Sequence, residues 1–371
     1  MIPFNIPYIS GDEEKYIKEA ISSRNLAGDG RFTKKCQSFL ASFTKANDVL
    51  LTSSCTHALE LSALLCDIQL GDEVIMSSFT FVSSANAFVL RGARIVYVDI
   101  DPDTMNINAA LIEAAITQNT KAILVMHYAG VACAMNKIMA IAEKHHLFVI
   151  EDAAQCIDSY YHKKHLGSIG HLGAFSFHST KNIHCGEGGA LLINDERLVK
   201  RAEIIREKGT NRKSFIRGEV DKYSWVDIGS SYLMSELNAA FLYAQLQQTT
   251  IVTEKRIAFW ETYNRNLEGI KPKEFATALQ HNAHIYFIKC KNKEERSKLI
   301  QFLKKKKIST VFHYVPLHSS KKGMESGRFN GEDLFTTKES ERLLRLPLYY
   351  DLENIELVIK SLNEFYSSVC K

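Results

Sequence analysis

A lysine at the end of an aromatic segment is the first candidate for chemistry in this chain of 371 residues. Residues 174–181 read Ala-Phe-Ser-Phe-His-Ser-Thr-Lys, and the glycine-rich stretch 186–189 follows closely. A strand here would bring Ser176, His178 and Lys181 together, and glycines let backbone approach a ligand. A surface cation is the usual role of a lysine. Lys181, however, has few acids nearby and suits Schiff-base chemistry, which needs an amine of lowered pKa.

A second segment, residues 148–152, is an apolar run that ends in two acids. Its last residue, Asp152, would emerge at the carboxyl end of a parallel sheet, which is where open α/β sheets bind ligands. The alternative is that Asp152 caps a following helix, because Ala-Ala-Gln comes next and favours one. Taken alone, this acid favours the capping role.

A third segment, residues 50–57, joins a predicted strand to a predicted helix. The N–H groups at such a helix start, with the hydroxyls of Ser54 and Thr56, can bind an anion without a charged side chain. Ordinary N-capping is the simpler alternative. The chain has neither GxxxxGK[ST] nor GxGxxG, so a P-loop or a dinucleotide fold has little support.

Together the three segments match one cofactor, pyridoxal 5'-phosphate. The helix start would bind its phosphate, Asp152 its pyridinium nitrogen and Lys181 its aldehyde. An acid on that nitrogen keeps it protonated, so that the ring withdraws electrons from a developing carbanion. Lys181, once displaced by substrate, would be a well-placed base for proton transfer between adjacent carbons.

The elements that must position these residues alternate between short apolar runs and helical patterns up to about residue 195. The predicted strands are residues 49–52, 73–76, 94–98, 122–127, 148–152, 174–177 and 190–193. Strands rich in Val and Ile, separated by helices, indicate a mainly parallel sheet covered on both faces. The last two strands follow each other closely, which favours an antiparallel pair there.

The helical patterns begin with a capping box at residues 10–13. A helix from Asp195 is expected to end near Gly209, and one long helix is predicted from about residue 235 to 263. Strands at 285–290 and 309–314 flank a helix that starts at Asn292, with Glu295 completing its cap. We therefore expect a large α/β domain, residues 1–250, and a smaller α+β domain, residues 251–371.

The composition excludes several classes of function. A net charge of +4, with scattered basic residues, argues against nucleic-acid binding, and the run at 304–307 is read as a solvated helix face. No apolar run approaches membrane-spanning length, and the eight cysteines show no CxxC spacing, so a reduced, cytoplasmic protein is expected. Metal sites at His145/His146 or His313/His318 are conceivable, but no metal is expected.

Ordered motifs resemble the DegT/DnrJ/EryC1/StrS sugar aminotransferases over nearly the whole chain. The core motifs are Ser53-Ser-Cys-Thr-His-Ala-Leu59, Gly71-Asp-Glu-Val-Ile-Met-Ser-Ser-Phe-Thr-Phe-Val82, Val98-Asp-Ile100, Glu151-Asp-Ala-Ala-Gln155, Phe175-Ser-Phe-His-Ser-Thr-Lys181 and Gly186-Glu-Gly-Gly189. The similarity is greatest to the members that make dTDP-4-amino-4,6-dideoxygalactose. They are similar also in Arg206-Glu-Lys-Gly-Thr-Asn211, Asp227-Ile-Gly-Ser-Ser-Tyr-Leu-Met234 and Phe312-His-Tyr-Val-Pro-Leu-His318.

The resemblance implies a fold-type-I homodimer with active sites at the subunit interface. It assigns Lys181 to the Schiff base, Asp152 to the pyridinium nitrogen, Gln155 to the ring hydroxyl and Phe81 to stacking on the ring. Further positions carried over are Cys55, Thr56 and Ser176 for the phosphate, and His178, His313 and Tyr314 for the substrate. The implied reaction transfers an amino group from L-glutamate to the 4-keto group of dTDP-4-keto-6-deoxy-D-glucose. A 3-keto or UDP-linked sugar is the alternative substrate, and a non-catalytic cofactor-binding scaffold is disfavoured.

Two positions depart from the family pattern. Many members have Gly-x-Asn-x-Arg, in which the asparagine reaches a neighbouring subunit's phosphate, whereas this chain has Gly229-Ser-Ser-Tyr-Leu233. Ser231 would then be a shorter donor to the phosphate, and the arginine is absent. Cys55 stands where glycine is common, and a backbone N–H contact tolerates the exchange if the local φ does not need glycine.

Overall fold

A computed structural model describes residues 1–267 and 280–369 of the chain. Within these residues the chain forms an eight-stranded sheet, two two-stranded sheets and fourteen α-helices. The strands are β1 (Asp48–Thr52), β2 (Glu73–Ser77), β3 (Arg94–Val98), β4 (Thr120–Met126), β5 (Phe148–Asp152), β6 (Tyr160–Tyr161), β7 (Lys164–His165), β8 (Leu172–Ser176), β9 (Gly189–Ile193), β10 (Tyr286–Lys289), β11 (Gly327–Phe329) and β12 (Leu343–Leu346).

The helices surround these strands. They are α1 (Glu13–Ser22), α2 (Arg31–Thr44), α3 (Cys55–Leu65), α4 (Val82–Val89), α5 (Ile112–Ala115), α6 (Met135–His145), α7 (Val199–Arg206), α8 (Arg212–Ile216), α9 (Glu236–Leu246), α10 (Thr249–Asn266), α11 (Lys293–Lys305), α12 (Lys321–Ser326), α13 (Thr336–Arg342) and α14 (Ile355–Val369).

The large sheet is parallel except at one strand. Its order is β1-β9-β8-β5-β4-β2-β3-β11, and within it β9 runs antiparallel to both of its neighbours. The sequence prediction of a mainly parallel sheet with one antiparallel pair near residues 174–193 is therefore confirmed. The seven predicted strands all occur, with ends displaced by two residues or fewer.

One edge of this sheet collects the residues of interest. The carboxyl ends of β4, β5 and β8 lie side by side, since Met126 pairs with Asp152 and Asp152 pairs with Ala174. Because β9 is reversed, its first residue, Gly189, lies at the same edge, opposite Thr52 and Ser176. Chain segments that leave or enter at this edge can therefore form a single site.

Helices cover both faces of the sheet, as the near-continuous apolar strands predict. On one face, residues such as Leu50 and Leu191 pack with α3 side chains including Leu61. On the other face, Leu51 and Leu192 pack with α2 and α9 residues. Alternate residues of the same strands thus enter opposite cores, which fixes the register of the site residues at the strand ends.

A separate apolar core lies in the C-terminal part of the chain. Residues of β10 and β12 pack there with α10, α11 and α14, for example Tyr263, Ile288 and Leu303. Ile2, at the other end of the chain, joins this core, and its N–H donates to the carbonyl of Lys307 at 2.8 Å. The division into domains at residues 250 and 251 stays a prediction.

Several local predictions are confirmed by hydrogen bonds. Asn292 caps α11 by accepting the N–H of Glu295 at 2.9 Å. The predicted capping box at residues 10–13 occurs only in part: Glu13 accepts the N–H groups of Ser10 and Gly11 at 2.7 and 2.8 Å, but the N-cap of α1 is Asp12 rather than Ser10. Gly209 follows α7 in a left-handed conformation, with φ +76°.

The long helix predicted from residue 235 to 263 is wrong. The structure has two helices, α9 and α10, which are interrupted at Gln247 and Gln248. At the interruption the hydroxyl of Thr249 donates to the carbonyl of Leu246 at 2.7 Å. A side chain thus satisfies a carbonyl at the end of α9. The break contains no glycine or proline, and the apolar pattern of the sequence continues across it. For this reason one long helix was predicted.

The strand predicted at residues 309–314 is also wrong. This segment makes only isolated bridges within the described residues, because its backbone bonds to two different partners. The N–H of Ser309 donates to Ile2, and the carbonyl of Val311 accepts from Arg345. Phe312 is half exposed, so the segment does not present this large apolar side chain to a core.

In the described residues, no helix is long and apolar enough to span a membrane. The seven cysteines that lie within those residues are free thiols. Six of them are buried, which agrees with their interpretation as small apolar side chains. Cys370 lies outside the described residues.

Candidate active site

A cavity of about 570 Å³ opens at the sheet edge where the carboxyl ends of the parallel strands meet. This volume lies within the usual range for small-molecule sites, roughly 300–1,000 Å³. Eleven of the twelve residues that the sequence nominated contribute to its lining. They are Ser54, Cys55, Thr56, Phe81, Asp152, Gln155, Ser176, His178, Lys181, His313 and Tyr314.

The start of α3 forms one end of the cavity. Ser54 is the N-cap residue, and its hydroxyl accepts the N–H of His57 at 3.1 Å. The capping role proposed as an alternative for this hydroxyl is thus confirmed. The N–H groups of Cys55 and Thr56 lie in the first turn of α3, where no helical carbonyl precedes them to accept their hydrogen bonds. They can therefore donate to an anion.

Gly189 makes this end of the cavity possible. A Cβ built on Gly189 would lie 2.3 Å from the carbonyl carbon of Ser54 and 2.4 Å from the nitrogen of Cys55. Such contacts are too short for any side chain, and backbone cannot turn away as a flexible side chain can. The glycine-rich stretch therefore permits close approach of backbone to backbone beside the helix start.

Hydroxyl groups add to the polar lining at this end. Thr56 donates to the hydroxyl of Ser83 at 2.9 Å, and both residues line the cavity. Ser176, the last residue of β8, faces the same space. The sequence analysis missed Ser83; its position in the run Thr-Phe-Val-Ser-Ser, just after β2, was the available signal.

Asp152 ends β5 as a buried carboxylate held in a fixed position. Its Oδ2 accepts a hydrogen bond of 2.6 Å from the hydroxyl of Ser84, and Oδ1 accepts the N–H of Ala154 at 3.1 Å. Residues 153–159 form turns rather than a helix, so the helix-capping alternative is wrong. Asp152 lines the cavity and is available to a cationic group there.

The neighbouring acid, Glu151, has a structural role. It points to the other side of the strand, where His127 lies 2.9 Å away and the N–H groups of Gly167, Ile169 and Gly170 donate to it. Burial alone would raise the pKa of the Glu151 carboxyl, but the bonds from His127 and the backbone lower it overall. Of the two acids, only Asp152 belongs to the cavity lining.

Lys181 lies in the turn that follows β8. Its backbone N–H donates to the carbonyl of His178 at 2.9 Å within the connection between β8 and β9. The side chain of Lys181 lines the cavity. Burial lowers the pKa of the Lys181 amine, and the charge of Asp152 opposes this in part. A lowered pKa is the property that a Schiff-base lysine needs, because only the neutral amine is a nucleophile.

Cys55 remains a thiol in this setting. Burial, reinforced by the charge of Asp152, raises the pKa of the Cys55 thiol well above its usual value. Its backbone conformation is helical and the residue begins α3, so glycine is not required at this position. The exchange of glycine for Cys55 therefore leaves the N–H available.

Gln155 is fixed by partners on both sides. Its Oε1 accepts the N–H of Ala129 at 2.7 Å, and its Nε2 donates to the hydroxyl of Tyr314 at 3.2 Å. Asn282, which the sequence analysis did not single out, donates to the Gln155 carbonyl at 2.9 Å. The amide of Gln155 is thereby held at the cavity wall beside Tyr314.

His313 and Tyr314 also line the cavity, with Tyr314 beside Gln155. Their ring centroids are 3.5 Å apart, and the hydroxyl of Tyr128 lies 3.3 Å from Nδ1 of His313. Burial, together with the charges of Arg345 and Lys181, lowers the pKa of His313, so this ring is neutral at physiological pH. Both positions agree with the sequence prediction that they lie at the site.

Two predicted residues lie nearer to solvent. Phe81 precedes α4 with 55% of its surface exposed, and its ring is 6.3 Å from that of Tyr314. His178 is partly exposed, 2.9 Å from the hydroxyl of Thr180 and 3.6 Å from a carboxylate oxygen of Glu187. Either side chain can contact a molecule that enters from solvent.

Ser231 does not line the cavity of its own chain. It is exposed, and its backbone forms an isolated bridge with Glu207. The resemblance assigned Ser231 to the site of a neighbouring subunit, and its position leaves that assignment a prediction.

The histidine pairs considered for metal binding have other partners. His145 lies 3.0 Å from Glu113, and His146 ends α6 in a left-handed conformation. His318 lies 3.1 Å from Asp333 and 2.6 Å from the hydroxyl of Ser78. No group of three or more potential ligands gathers around a common point in the described residues.

The most informative residue that the sequence analysis missed is Arg345. It lies in β12 and lines the cavity, with its guanidinium 4.6 Å from the ring centroid of Phe4. The motif Leu344-Arg-Leu-Pro-Leu348 was noted only as the end of the resemblance. An arginine before an apolar strand end was the signal that could have drawn attention to it.

The residues present fit pyridoxal phosphate. The opening beside Gly189 gives access to two N–H donors for a phosphate, Asp152 supplies an anion for a pyridinium, and Lys181 supplies an amine of lowered pKa for an aldehyde. All three groups border one cavity. The fold and this site together define a PLP-dependent aminotransferase of fold type I.

Comparison with known proteins makes this class more specific. The family model of the DegT/DnrJ/EryC1/StrS aminotransferases matches residues 7–363. The chain belongs to this family and is a PLP-dependent sugar aminotransferase. It is 31% identical to the spore coat polysaccharide biosynthesis protein SpsC of Bacillus subtilis over 376 residues, covering 98% of this chain and 96% of SpsC.

Solved structures agree with the fold. Spr1654 of Streptococcus pneumoniae, in its PMP form, superposes with a TM-score of 0.92 at 26% identity, covering all of both chains. The aminotransferase TlmJ of Streptoalloteichus hindustanus superposes with a TM-score of 0.90 at 26% identity, again over the full length of both chains. Spr1654 has also been solved in its PLP form, with a TM-score of 0.90 to this chain.

Proposed function

We propose that this chain transfers the amino group of L-glutamate to the 4-keto group of dTDP-4-keto-6-deoxy-D-glucose, giving dTDP-4-amino-4,6-dideoxy-D-galactose and 2-oxoglutarate. The observation that carries the proposal is the convergence of Lys181, Asp152 and the start of α3 on one cavity. The choice of sugar rests on the motifs at residues 206–211, 227–234 and 312–318.

Lys181 has two roles in this proposal. Its neutral amine would condense with the aldehyde of the bound cofactor, releasing water, and after displacement by the substrate amine it would carry a proton between adjacent carbons. The bound cofactor supplies an electron sink for the developing carbanion. A lowered pKa suits both roles, because the amine must take up and release a proton near neutral pH.

Asp152 stabilises positive charge on the cofactor's ring nitrogen. The hydrogen bond from Ser84 fixes the direction of the carboxylate. Thr80, whose hydroxyl lies 2.8 Å from that of Ser84, extends this support into the loop after β2. The residues of that loop also include Phe81, which we assign to stacking on the ring.

The remaining cofactor contacts follow from positions in the cavity. The N–H groups of Cys55 and Thr56, with the hydroxyls of Ser54 and Ser176, would hold the phosphate at the start of α3. The amide of Gln155 would bind the ring hydroxyl. Its double anchoring by Ala129 and Tyr314 keeps it in place while substrates exchange.

His178, His313 and Tyr314 are assigned to the sugar substrate. His313 is neutral and rigid beside Tyr314, which suits hydrogen bonding to sugar hydroxyls. His178 stands at the mouth of the cavity with Glu187. These residues would orient the keto carbon toward Lys181.

The active form is proposed to be a homodimer. The segment before Ser231 exposes several apolar side chains, and Trp225 has 79% of its surface exposed. The others are Phe215, Ile216, Tyr223, Val226 and Ile228. Several exposed apolar side chains in one segment favour a protein interface, and pairing through this segment would bring Ser231 toward the phosphate site of the second subunit.

The cellular setting is proposed to be the cytoplasm, in a pathway for surface polysaccharide. The name of the relative SpsC supports a role in polysaccharide biosynthesis. The second candidate function is transamination of a different nucleotide sugar, with a 3-keto group or a UDP carrier. It would use the same cofactor residues and differ only in how the sugar is oriented.

A spectroscopic experiment tests the proposal. Protein loaded with pyridoxal phosphate should absorb near the edge of the visible range, lose this band with L-glutamate and regain it with the keto-sugar nucleotide. Absence of the band in loaded wild-type protein would contradict the cofactor role of the site. NMR of the product then distinguishes 4-amino from 3-amino sugars and the galacto from the gluco epimer.

A further inference from the structure

Arg345 occupies an unusual position in the wall of the active-site cavity. Its backbone is paired on both sides, with Phe287 of β10 and with Val311, whose carbonyl accepts the Arg345 N–H at 2.8 Å. The side chain extends into the cavity and lies over Phe4, near the N-terminus. A paired backbone and an aromatic support give the guanidinium a defined location.

The guanidinium has no anionic partner among the described residues. Within residues 1–267 and 280–369, its buried Nε has no hydrogen-bond partner and no carboxylate lies within ion-pair distance of its nitrogens. Two other buried arginines have more hydrogen-bond partners. Arg206 pairs with Asp29 and donates to the carbonyl of Leu51, although its Nε also lacks a partner, and Arg256 donates to the carbonyls of Ala283 and His284.

Burying a cation without a partner is unfavourable in free energy unless a ligand supplies the opposite charge. Burial lowers the pKa of Arg345, and the nearby hydroxyls of Tyr128 and Tyr314 oppose this. Arginine nevertheless keeps its proton in proteins, so the positive charge stays in the cavity. The planar guanidinium matches a carboxylate in geometry, because two N–H groups can bond its two oxygens.

We propose that Arg345 binds the α-carboxylate of the amino donor and thereby selects an α-amino acid for the first half of the reaction. This inference rests on the proposed function. In an α-amino acid the carboxylate is attached to the same carbon as the reacting amine. When that amine is at Lys181, the carboxylate must lie close by, and Arg345 lines the same cavity as Lys181.

Two other anions fit less well. The cofactor's phosphate is assigned to the start of α3, whereas Arg345 lies over Phe4 and interacts electrostatically with Tyr128 and Tyr314. The diphosphate of the nucleotide sugar is attached at C1, across the pyranose ring from the C4 keto group. With C4 at Lys181 the diphosphate would point outward, away from a buried guanidinium.

The test compares two donors on the loaded holoenzyme. L-Glutamate carries both carboxylates, whereas 4-aminobutyrate lacks the α-carboxylate and keeps the other. For Arg345→Gln we expect the second-order rate constant for bleaching by L-glutamate to fall about 100-fold, as for loss of one charge-assisted carboxylate contact. The constant for 4-aminobutyrate should change less than about threefold. The rate constant of Arg345→Lys with L-glutamate should lie between those of the wild-type enzyme and Arg345→Gln.

A binding measurement adds a readout that does not require turnover. 2-Oxoglutarate carries the same α-carboxylate without an amine, and its Kd for the PLP form, measured by titration calorimetry, should rise by a similar factor in Arg345→Gln. Phe4→Leu removes the aromatic support only, so a smaller rise is expected. Arg197→Gln, at an exposed arginine paired with Asp195, is the matched control and should change neither quantity.

Each alternative outcome has a definite meaning. If Arg345→Gln weakens the sugar nucleotide and leaves L-glutamate unchanged, the guanidinium binds the diphosphate and the proposal is wrong. If the constants for both donors fall equally while the visible band and melting temperature are retained, Arg345 has no selective role and the proposal is equally wrong. Failure of the proposed function itself would be distinct, because wild-type protein would then show no band or no bleaching by any amino donor.

Discussion

Ser84 donates a 2.6 Å hydrogen bond to Oδ2 of Asp152, joining the first turns of α4 to the end of β5. The two residues are 68 positions apart in the sequence, so the contact depends on the sheet that brings these elements together. It fixes the direction of the carboxylate assigned to the cofactor's ring nitrogen. Asp152 is buried, and a buried carboxylate of this kind requires such partners.

Replacement of Ser84 should therefore weaken cofactor binding. In Ser84→Ala the carboxylate loses a charge-assisted bond, so we expect the Kd for pyridoxal phosphate to rise about tenfold. Titration of the apoprotein, followed by absorbance, measures this directly. Ser297→Ala removes a hydroxyl that donates within α11 and serves as the control. An unchanged Kd in Ser84→Ala would mean that Asp152 does not depend on this bond.

Lys181→Ala should abolish covalent attachment of the cofactor. Borohydride reduction of loaded wild-type protein fixes the cofactor to the chain, which intact-mass spectrometry detects as an added mass. The variant should lack both this mass and transaminase activity, while it still binds the cofactor through the phosphate site and Asp152. Lys164→Ala, at an exposed lysine, should behave as wild type. If trapping survives in Lys181→Ala, the Schiff-base lysine is another residue.

The lowered pKa of Lys181 predicts a pH dependence of stability in the apoprotein. Between the folded-state pKa and the ordinary value near 10.5, the unfolded chain binds more protons at this amine, so its contribution to stability falls as the pH falls. Lys181→Met has no such amine. Its stability advantage over wild type in urea unfolding should therefore be largest near neutral pH and shrink as the pH approaches 10.5. A constant difference would contradict the lowered pKa.

Two adjacent glycines should respond differently to substitution by alanine. At Gly189 a Cβ would meet backbone atoms of Ser54 and Cys55, whereas at Gly188 it would meet the side-chain ends of Cys185 and Met234. Flexible side chains can move, but the start of α3 cannot without disturbing the phosphate site. Gly189→Ala should lose most pyridoxal phosphate binding, and Gly188→Ala should keep it within roughly tenfold. Equal Kd values in the two variants would refute this steric account.

Hybrid subunits test whether Ser231 serves the neighbouring site. Ser231→Trp should be inactive alone because the ring would enter the partner's phosphate site, although an exposed position lets the variant fold normally. Mixed and reassembled with Lys181→Ala, it should recover roughly a quarter of wild-type activity, since half of the dimers carry one intact site. If each site is complete within one chain, the mixture will gain no activity.

The sequence predicted the central sheet well because its strands are apolar runs whose period and composition are local properties. Lys181 and Asp152 were found because each stands at the end of such a run. Ser84 and Arg345 were not, since their importance comes from contacts across the fold. Likewise, the interruption at Gln247 depends on a hydroxyl bond to a helix carbonyl, and the segment at 309–314 depends on pairing with Ile2 and Arg345.

The reversed direction of β9 affects the reach of Lys181. Since β8 and β9 are adjacent and antiparallel, residues 177–188 turn back at one edge instead of crossing the sheet, and bonds such as Phe177 N–H to Gly188 carbonyl close the turn. A lysine displaced from the cofactor remains tethered within this short connection. Its effective concentration at the reacting carbon stays high, so proton transfer and reattachment behave as intramolecular steps.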